Sequence, residues 1–582
     1  MKSLYKVIRE CIALLTEEER KKLLGLAIFV SAMSLLELVG VVSILPFMSV
    51  ALNPEMIESN KYLAWGYNLL SFENKKNYLF FLGLVALVAL FMSNLIRAYS
   101  NYLLIKFAQM QTHYLGYRIL KNYLFKPYEF FLTQNSSDLT KLALSEVNQL
   151  VGNVFLPLLR SFGRFFSALF ILLLIVSINP KVAIAMTLIL GGAYSLVFLF
   201  FKRKIADLGK VRTIANSLQF KVISEASGGI KEVKLMSKEE TYLASFRKPS
   251  LEFAHGQTHN AIVGELPKYL LEVIAFGGIL SVVLYLIATE GESKAISLAS
   301  LYALAGYKLM PSLQEIYNSL TKVKFNRPIL TAVSKSLDGE EASNSLTFEK
   351  RELFFTNEIK LENISFSYSG SAKKAISNVS FSVPILSTVG IVGSTGSGKT
   401  TLVDIILGLL TPNEGHILVD GETIDQSNLS SWQSLIGYVP QVIYLSDDTI
   451  EANIAFGVPK DQIDHEMVKT AAKLAQIDSF IENNLPEKYL TQVGERGIRL
   501  SGGQRQRIGV ARALYRNPSL IVFDEATSAL DNETEKALME SIESLSGSKT
   551  IVMIAHRLST LEKADRIIHI ENGVLKNITD KN

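Results

Sequence analysis

The chain is almost without cysteine. A single residue, Cys11, stands among 582, which excludes an internal disulfide framework and a cysteine-based metal site and suits soluble parts held in a reducing compartment. Excess charge is lacking as well. The formal net charge is only +4, so no broad basic field marks a nucleic-acid binder and nucleic acid is not an expected partner. Charged residues make up 20% of the chain against 48% hydrophobic ones, with a mean hydropathy of +0.25. That mixture is expected when a membrane domain is joined to an ordinary soluble one. No cleavable signal is evident in the opening MKSLYKVIRECIALLTEEERKK, whose apolar stretch is broken by charge every few residues. The pattern predicts an amphipathic helix lying at a membrane surface.

After residue 320 long apolar runs are missing, whereas six of spanning length precede it, at 23–51, 78–99, 156–178, 182–201, 262–288 and 295–310. The connections 96–155 and 201–262 are long and rich in Lys and Arg, while the turns 179–181 and 289–294 are short. The excess of positive charge on the long connections places them, with both termini, in the cytoplasm. Their helical pattern reads as membrane helices running on into a cytosolic stalk, with a separate water-soluble hairpin as the alternative. The external stretch 53–77 holds Tyr62, Leu63, Trp65, Tyr67, Leu69 and Leu70 among polar residues. It is expected to form a short interfacial helix, an ordinary surface loop being the other reading. The division that follows is a six-helix membrane domain at 1–333, a polar linker at 334–357 and an α/β domain at 358–582.

From residue 359 onward short apolar strands alternate with helical stretches. The run Gly393, Ser394, Thr395, Gly396, Ser397, Gly398, Lys399, Thr400 follows the strand Val389-Gly390-Ile391-Val392 and opens a helix at Thr401. In that setting the glycines let backbone N–H groups approach phosphates, Lys399 reaches the β- and γ-phosphates, and the Thr400 hydroxyl ligates Mg²⁺. A second run, Leu520-Ile521-Val522-Phe523-Asp524-Glu525, reads as a buried parallel strand ending in two carboxylates. Asp524 suits the Mg²⁺ shell and Glu525 suits the orientation and deprotonation of an attacking water. The cofactors expected are ATP and Mg²⁺, bound by an α/β P-loop ATPase domain.

Leu500-Ser501-Gly502-Gly503-Gln504, shortly before the acid pair, resembles the signature of ATP-binding cassette (ABC) proteins. Six spans followed by a cassette resembles the layout of an exporter half-transporter. The resemblance implies that Tyr368 stacks on adenine, that Gln441 senses Mg²⁺ and the membrane domain, and that Asp531 belongs to the loop after the acids. It makes His556 the switch histidine near the γ-phosphate, and Thr491-Gln-Val-Gly-Glu-Arg-Gly497 resembles a segment of the family's exporters. It further implies a homodimer with two ATP molecules, each held between Lys399 of one chain and Ser501 of the other. The N–H groups that open the helix at Ser501 agree, being an anion-binding terminus with no phosphate of its own in the same subunit. One departure is visible, since Ile385-Leu386-Ser387-Thr388 stands where the family usually has a glycine turn.

Charge is expensive inside the membrane and therefore informative. Arg97, Arg160, Arg164, Lys268 and Lys308 fall in four spans, against the acids Glu37, Glu265 and Glu272. Some of them snorkel in the bland reading. Arg97, Lys268 and Lys308, on different spans, are the expected substrate contacts, fit for a multiply charged anion such as a pyrophosphate. Several membrane segments, among them Ile44-Leu45-Pro46-Phe47-Met48, Leu266-Pro267-Lys268-Tyr269-Leu270 and Tyr307-Lys308-Leu309-Met310-Pro311, resemble bacterial lipid-linked oligosaccharide flippases. That resemblance implies export of a lipid-linked glycan across the inner membrane of a bacterium. A general lipid, drug or peptide exporter, and a regulatory membrane ATPase without net transport, are the alternatives.

Overall fold

The structure is a computed structural model. It describes residues 2–580 apart from 53, 135, 179, 181–183, 185–186, 291, 338–350, 372, 526–531 and 556–562. The chain forms two compact units, one of residues 1–125 and 134–343, the other of residues 126–133 and 344–582.

The first unit is helical. Its main helices are α1 (Lys2–Ala13), α2 (Glu17–Val42), α3 (Lys75–Leu124), then, after a short α4 (Tyr128–Thr133) that groups with the other unit, α5 (Leu156–Ile178), α6 (Gly192–Gly228), α7 (Glu239–Glu290), α8 (Glu292–Phe325) and α9 (Arg327–Leu337). Helix α3 has 50 residues, so at 1.5 Å per residue it is about 75 Å long, more than twice the hydrocarbon thickness of a bilayer. Its buried positions Ser93, Ser100, Leu104, Ala108, Gln111, Leu115, Ile119 and Asn122 recur every three to four residues beyond the first of them, so one stripe faces protein along the lower half of its length. Phe80, Leu84, Leu87, Phe91 and Leu95 on other faces are exposed, as lipid contact requires. Among the described residues the helical stretches Lys75–Leu124 and Asp138–Ser177 are long and apolar enough on their own to cross a membrane. The remaining expected spans fall on α2, α6, α7 and α8, except that most of 179–186 lies outside the described residues.

One expectation changes and another gains detail. The strongest apolar stripe of α1 does not lie on lipid: Val7, Cys11, Leu14 and Leu15 are buried with Leu115, Ile119, Ile329, Leu330 and Val333. Burial pushes the Cys11 thiol up to about 12, which leaves it a small apolar side chain with no thiolate chemistry. Tyr5, Ile8 and Ile12 remain exposed. The external stretch is a helix, Lys61–Leu69, capped by the Asn60 side chain. Leu63 packs with Val50, Ile57 and Tyr78, while Tyr62, Trp65 and Leu69 stay exposed, the distribution of a helix half on protein and half in an interface.

Between Ser136 and Ile178 the helix widens twice into π turns, Lys141–Glu146 and Val151–Phe155. The first carries Glu146 inward, where it meets Arg212 of α6 at 3.8 Å and accepts from the Asn216 amide at 2.8 Å. Both charged side chains are only 1% exposed, and Arg212 also lies 5.2 Å from the centre of the Phe253 ring. Removing one partner of such a pair strands the other charge. Glu146→Ala is therefore expected to cost about 3 to 5 kcal/mol, read as a lowered thermal midpoint of the purified protein. An unchanged midpoint would show that the pair contributes no net stability.

The second unit holds two sheets. Six strands run in the order β10-β9-β3-β8-β7-β6, with β3 (Thr388–Val392), β6 (Ile436–Val439), β7 (Leu520–Asp524), β8 (Thr550–Ile554), β9 (Arg566–Glu571) and β10 (Val574–Asp580). β3, β6, β7, β8 and β9 pair in parallel and β10 closes one edge antiparallel. β7 and β8 are buried throughout, which is why their sequences are unbroken apolar runs. A smaller sheet, β2-β1-β4-β5, pairs antiparallel through β1 (Glu358–Phe366), β2 (Ile376–Pro384), β4 (Glu414–Val419) and β5 (Glu422–Thr423). The linker is shorter than its polar composition suggested, because α9 continues to Leu337 and Leu353 and Phe355 are buried in the core of this unit. In the turn before β3, Leu386 adopts φ +57°, the left-handed conformation a glycine would take without strain, and its N–H donates to Thr550 Oγ1 at 2.9 Å.

Candidate nucleotide site and charged membrane cavity

β3 leads through the loop 393–398 into α10 (Lys399–Ile406), whose preceding residue Gly398 has φ +102°. A Cβ on Gly398 would meet the Ala375 carbonyl at 2.7 Å, so the turn into the helix accepts only glycine. Lys399 is buried and its ammonium donates to the carbonyls of Gly393 and Ser394 at 2.9 and 3.1 Å, which folds the loop around the amine. Ser394, Thr395, Gly396 and Thr400 are exposed to solvent. The Ser397 hydroxyl is buried and has no hydrogen-bond partner among the described residues. An orphaned hydroxyl beside the first N–H groups of a helix fits a phosphate.

The carboxylates come from another strand of the same sheet. Asp524 ends β7 and is next but one to β3 through β8. Burial, with the charge of Glu525 beside it, pushes the Asp524 carboxyl up. Burial, with the charge of Asp524, raises Asp404 of α10 to about 6. Tyr438 donates to Asp524 at 3.4 Å. Buried carboxyls pushed up in this way suit a cation beside them. Among the described residues no group of three His, Cys, Asp or Glu side chains forms a complete metal site. Thr400 at the start of α10 and Asp524 at the end of β7 suit Mg²⁺, which keeps water and takes phosphate oxygens as ligands beside one or two carboxylates. Glu525 follows at φ +49°, and the Gln441 amide donates to it at 2.6 Å. The backbone turn carries this side chain off the strand axis toward Gln441.

Tyr368 is held by its hydroxyl against Thr401 at 2.9 Å and by an edge contact from Phe366, with ring centres 5.0 Å apart. A ring fixed in this way is a ready stacking platform. Beside it lies α4, which no sequence pattern marked: the Ser369 N–H donates to Glu129 at 3.1 Å, and the Tyr128 hydroxyl is raised by burial and by the nearby charges of Asp404 and Tyr368. Elsewhere in the unit Ser501 caps α11 (Gly502–Leu514) in a reciprocal box, its Oγ accepting from Gln504 N–H at 3.3 Å while Gln504 Oε1 accepts from Ser501 N–H at 2.8 Å. The Gln504 side chain is thereby committed to the cap. Gly502 and Gly503 precede the first intrahelical bond, from Arg505 N–H to the Ser501 carbonyl, so their N–H groups face outward for an anion. Asp531 and His556 lie outside the described residues.

In the first unit the charged membrane residues do not all meet. Arg97 of α3 and Arg160 and Arg164 of α5 line a cavity of about 450 Å³ together with Glu37 of α2 and Glu315 of α8. Lys268 is exposed and is not among the lining residues, and the side chain of Lys308 lies outside those described. Arg97 of the expected trio thus lines the cavity, joined there by Arg160 and Arg164. Arg160 and Arg164, four residues apart on one helix, share a face with each other, which their spacing alone permits one to read.

The fold and site define an exporter-type ATP-binding cassette protein: a helical membrane unit fused to a P-loop ATPase. Comparison agrees. The ABC transporter transmembrane region matches residues 23–263 and the ABC transporter domain matches residues 376–528. The chain is 30% identical to the ATP-dependent lipid A-core flippase of Cupriavidus metallidurans over 81% of its own length and 80% of that protein's. It is 33% identical to the flippase of the same name from Saccharophagus degradans, over 78% and 76%. A solved bacterial Atm1-family ABC exporter with ATP bound superposes with a TM-score of 0.78 at 23% identity, over 96% of both chains, and shares the fold. The chain belongs to the ABC transporter family and is an ATP hydrolase coupled to membrane transport.

Proposed function

We propose that this protein is a homodimeric flippase that uses ATP hydrolysis to move a phosphate-bearing glycolipid from the inner to the outer leaflet of the bacterial inner membrane. A polyprenyl-pyrophosphate-linked oligosaccharide is the substrate class put first, by resemblance of the membrane segments to the flippase PglK. The observation that carries the reading is the cavity lined by Arg97, Arg160 and Arg164. Three guanidiniums, each a planar set of donors, suit the oxygens of a phosphate or pyrophosphate and have no use in a cavity for an uncharged drug. The lipid A-core named for the curated relatives is the nearest competing substrate. In the ATPase unit, Lys399, the loop N–H groups and Ser397 hold the phosphates, Thr400 and Asp524 the Mg²⁺ that neutralises them, and Tyr368 the base. Glu525 takes the proton of the attacking water, with Gln441 orienting it and His556 and Asp531 completing the site.

The test is purified protein in liposomes, with ATPase stimulation and leaflet transfer measured for polyprenyl-pyrophosphate glycans, lipid A, phospholipids and drugs. Stimulation at the lowest concentration by a pyrophosphate glycan is the expected result, and stimulation by drugs alone overturns it. The dimer has its own test. Lys399→Ala chains co-purified with Ser501→Arg chains are expected to form mixed dimers in which one of two composite sites carries neither lesion and binds ATP. Total loss of ATP binding in those mixed dimers would rule out the head-to-tail arrangement.

A further inference from the structure

Glu37 on α2 is set between cations carried by two other helices. Its Oε1 lies 3.6 Å from Arg97 Nη1 and 3.7 Å from Arg164 Nη1, and its Oε2 accepts from the Ser167 hydroxyl at 3.1 Å. The Glu37 side chain is 16% exposed and that of Arg97 40%, so the carboxylate lies deeper and the guanidinium opens toward the cavity. Neither separation reaches the about 2.7 to 2.9 Å of a tight charge-assisted bond. One carboxylate is thus shared by two guanidiniums, offsetting one of their two charges without locking either. Each guanidinium has five N–H donors, which leaves capacity for another anion. With Arg160 and Glu315 the lining holds three formal positive charges against two negative ones.

We infer that Glu37 is a resident counter-ion, displaced from Arg97 and Arg164 by the phosphate of the transported lipid, and that it sets how tightly that headgroup is held and how fast it leaves. The inference rests on the phosphate-lipid reading above and deepens it. An empty cavity with three unopposed guanidiniums would hold any anionic lipid of the surrounding leaflet, because charge-assisted contacts in a partly dry cavity are strong. With Glu37 in place, a ligand must offer more than one carboxylate does. A phosphate or pyrophosphate brings several oxygens and more charge, so it wins the exchange, whereas a weaker anion does not. Once the headgroup is seated, the displaced carboxylate lies beside it with like charge, and its return to the arginines favours release.

The experiment uses the full-length protein in phosphatidylcholine nanodiscs, with undecaprenyl pyrophosphate as the stimulating probe of ATPase activity and undecaprenol as the uncharged control. Glu37→Gln keeps the size and the acceptor for Ser167 while removing the charge. It is expected to lower the probe concentration for half-maximal stimulation about tenfold, the scale of about 1.4 kcal/mol, and to lower the maximal rate because release slows. Glu37→Asp, which keeps the charge but withdraws it by one methylene, is expected to move the same way by less and guards against a folding defect in the first variant. The response to undecaprenol is expected to stay flat throughout. A half-maximal concentration that stays the same or rises in both variants, while Arg97→Gln and Arg164→Gln raise it, overturns the counter-ion role and leaves the phosphate site standing. If the arginine variants also respond as the parent does, the phosphate reading itself falls, and this inference with it.

Discussion

Glu525→Gln is expected to bind ATP as the parent does and to lose steady-state hydrolysis by at least about a hundredfold, the lower end of what a positioned general base contributes. Glu525 follows the last residue of a buried strand and turns at φ +49° out of its axis, so its carboxylate is placed by the backbone and by the 2.6 Å contact from Gln441. An amide of the same shape keeps that placement and cannot take a proton. Asp524, the residue before it, still offers its carboxylate to the cation, so nucleotide and Mg²⁺ are retained. The measurement is phosphate release under saturating ATP alongside equilibrium nucleotide binding. Turnover near the parental rate would remove Glu525 from the role of base, and loss of binding would show that the substitution disturbs the site beyond its chemistry.

The second large effect belongs to the membrane unit. Replacing Arg97, Arg160 and Arg164 together by Gln is expected to abolish stimulation of the ATPase by phosphate-bearing lipid and transfer of that lipid between leaflets, while ATP binding persists. A hydrogen bond to a charged group contributes about 1.5 to 3 kcal/mol, so losing several weakens headgroup binding by orders of magnitude even after discounting for water in the cavity. Lys268→Gln serves as the contrast. Lys268 is exposed and outside the cavity lining, so its effect on stimulation is expected to stay within about twofold, as surface substitutions commonly do. Parental transfer by the triple variant would reduce the arginines to anchors for lipid headgroups and leave the exporter without an assigned substrate site. Loss of transfer in Lys268→Gln would restore the trio that spacing along the chain suggested.

The comparison of Lys268 with Arg164 shows what linear order could and could not decide. The phosphate loop was legible because its parts are contiguous: the strand, the glycines, Lys399 and Thr400 occupy one strand, turn and helix, and local geometry brings them together whatever the rest of the chain does. The acid pair was legible for the same reason, as an unbroken apolar run ending in two charges. Apolar length likewise marked the membrane helices, and the helical pattern beyond them predicted that α3 would outrun the bilayer. The signature segment was recognisable, yet only the structure shows Gln504 tied back to Ser501 as the second half of a cap, with Gly502 and Gly503 left to face outward. The turn before β3 taught the reverse lesson. The missing glycine did not change the backbone, because Leu386 takes the left-handed conformation and its N–H is held by Thr550.

What tertiary packing decided were the meetings between distant segments. The apolar stripe of α1 would serve lipid or protein equally well. Its docking on α3 and α9 follows from the complementary stripes those helices present, which no local pattern of α1 encodes. The placement of Tyr128 and Glu129 beside the stacking platform depends on residues 126–133 folding with the ATPase unit, although the long helices on both sides of them belong to the other. The cavity depends on how four helices turn about their axes. A rotation of one residue, 100° on a helix, separates an arginine that faces water and Glu37 from one that faces lipid. The sequence by itself therefore marked the separate parts of the ATPase site, the phosphate loop and the acid pair, because the residues within each part are neighbours along the chain. Only the tertiary structure decided which membrane charges share a cavity, because helix rotation is set by the packing of all the helices together and is invisible in any one of them.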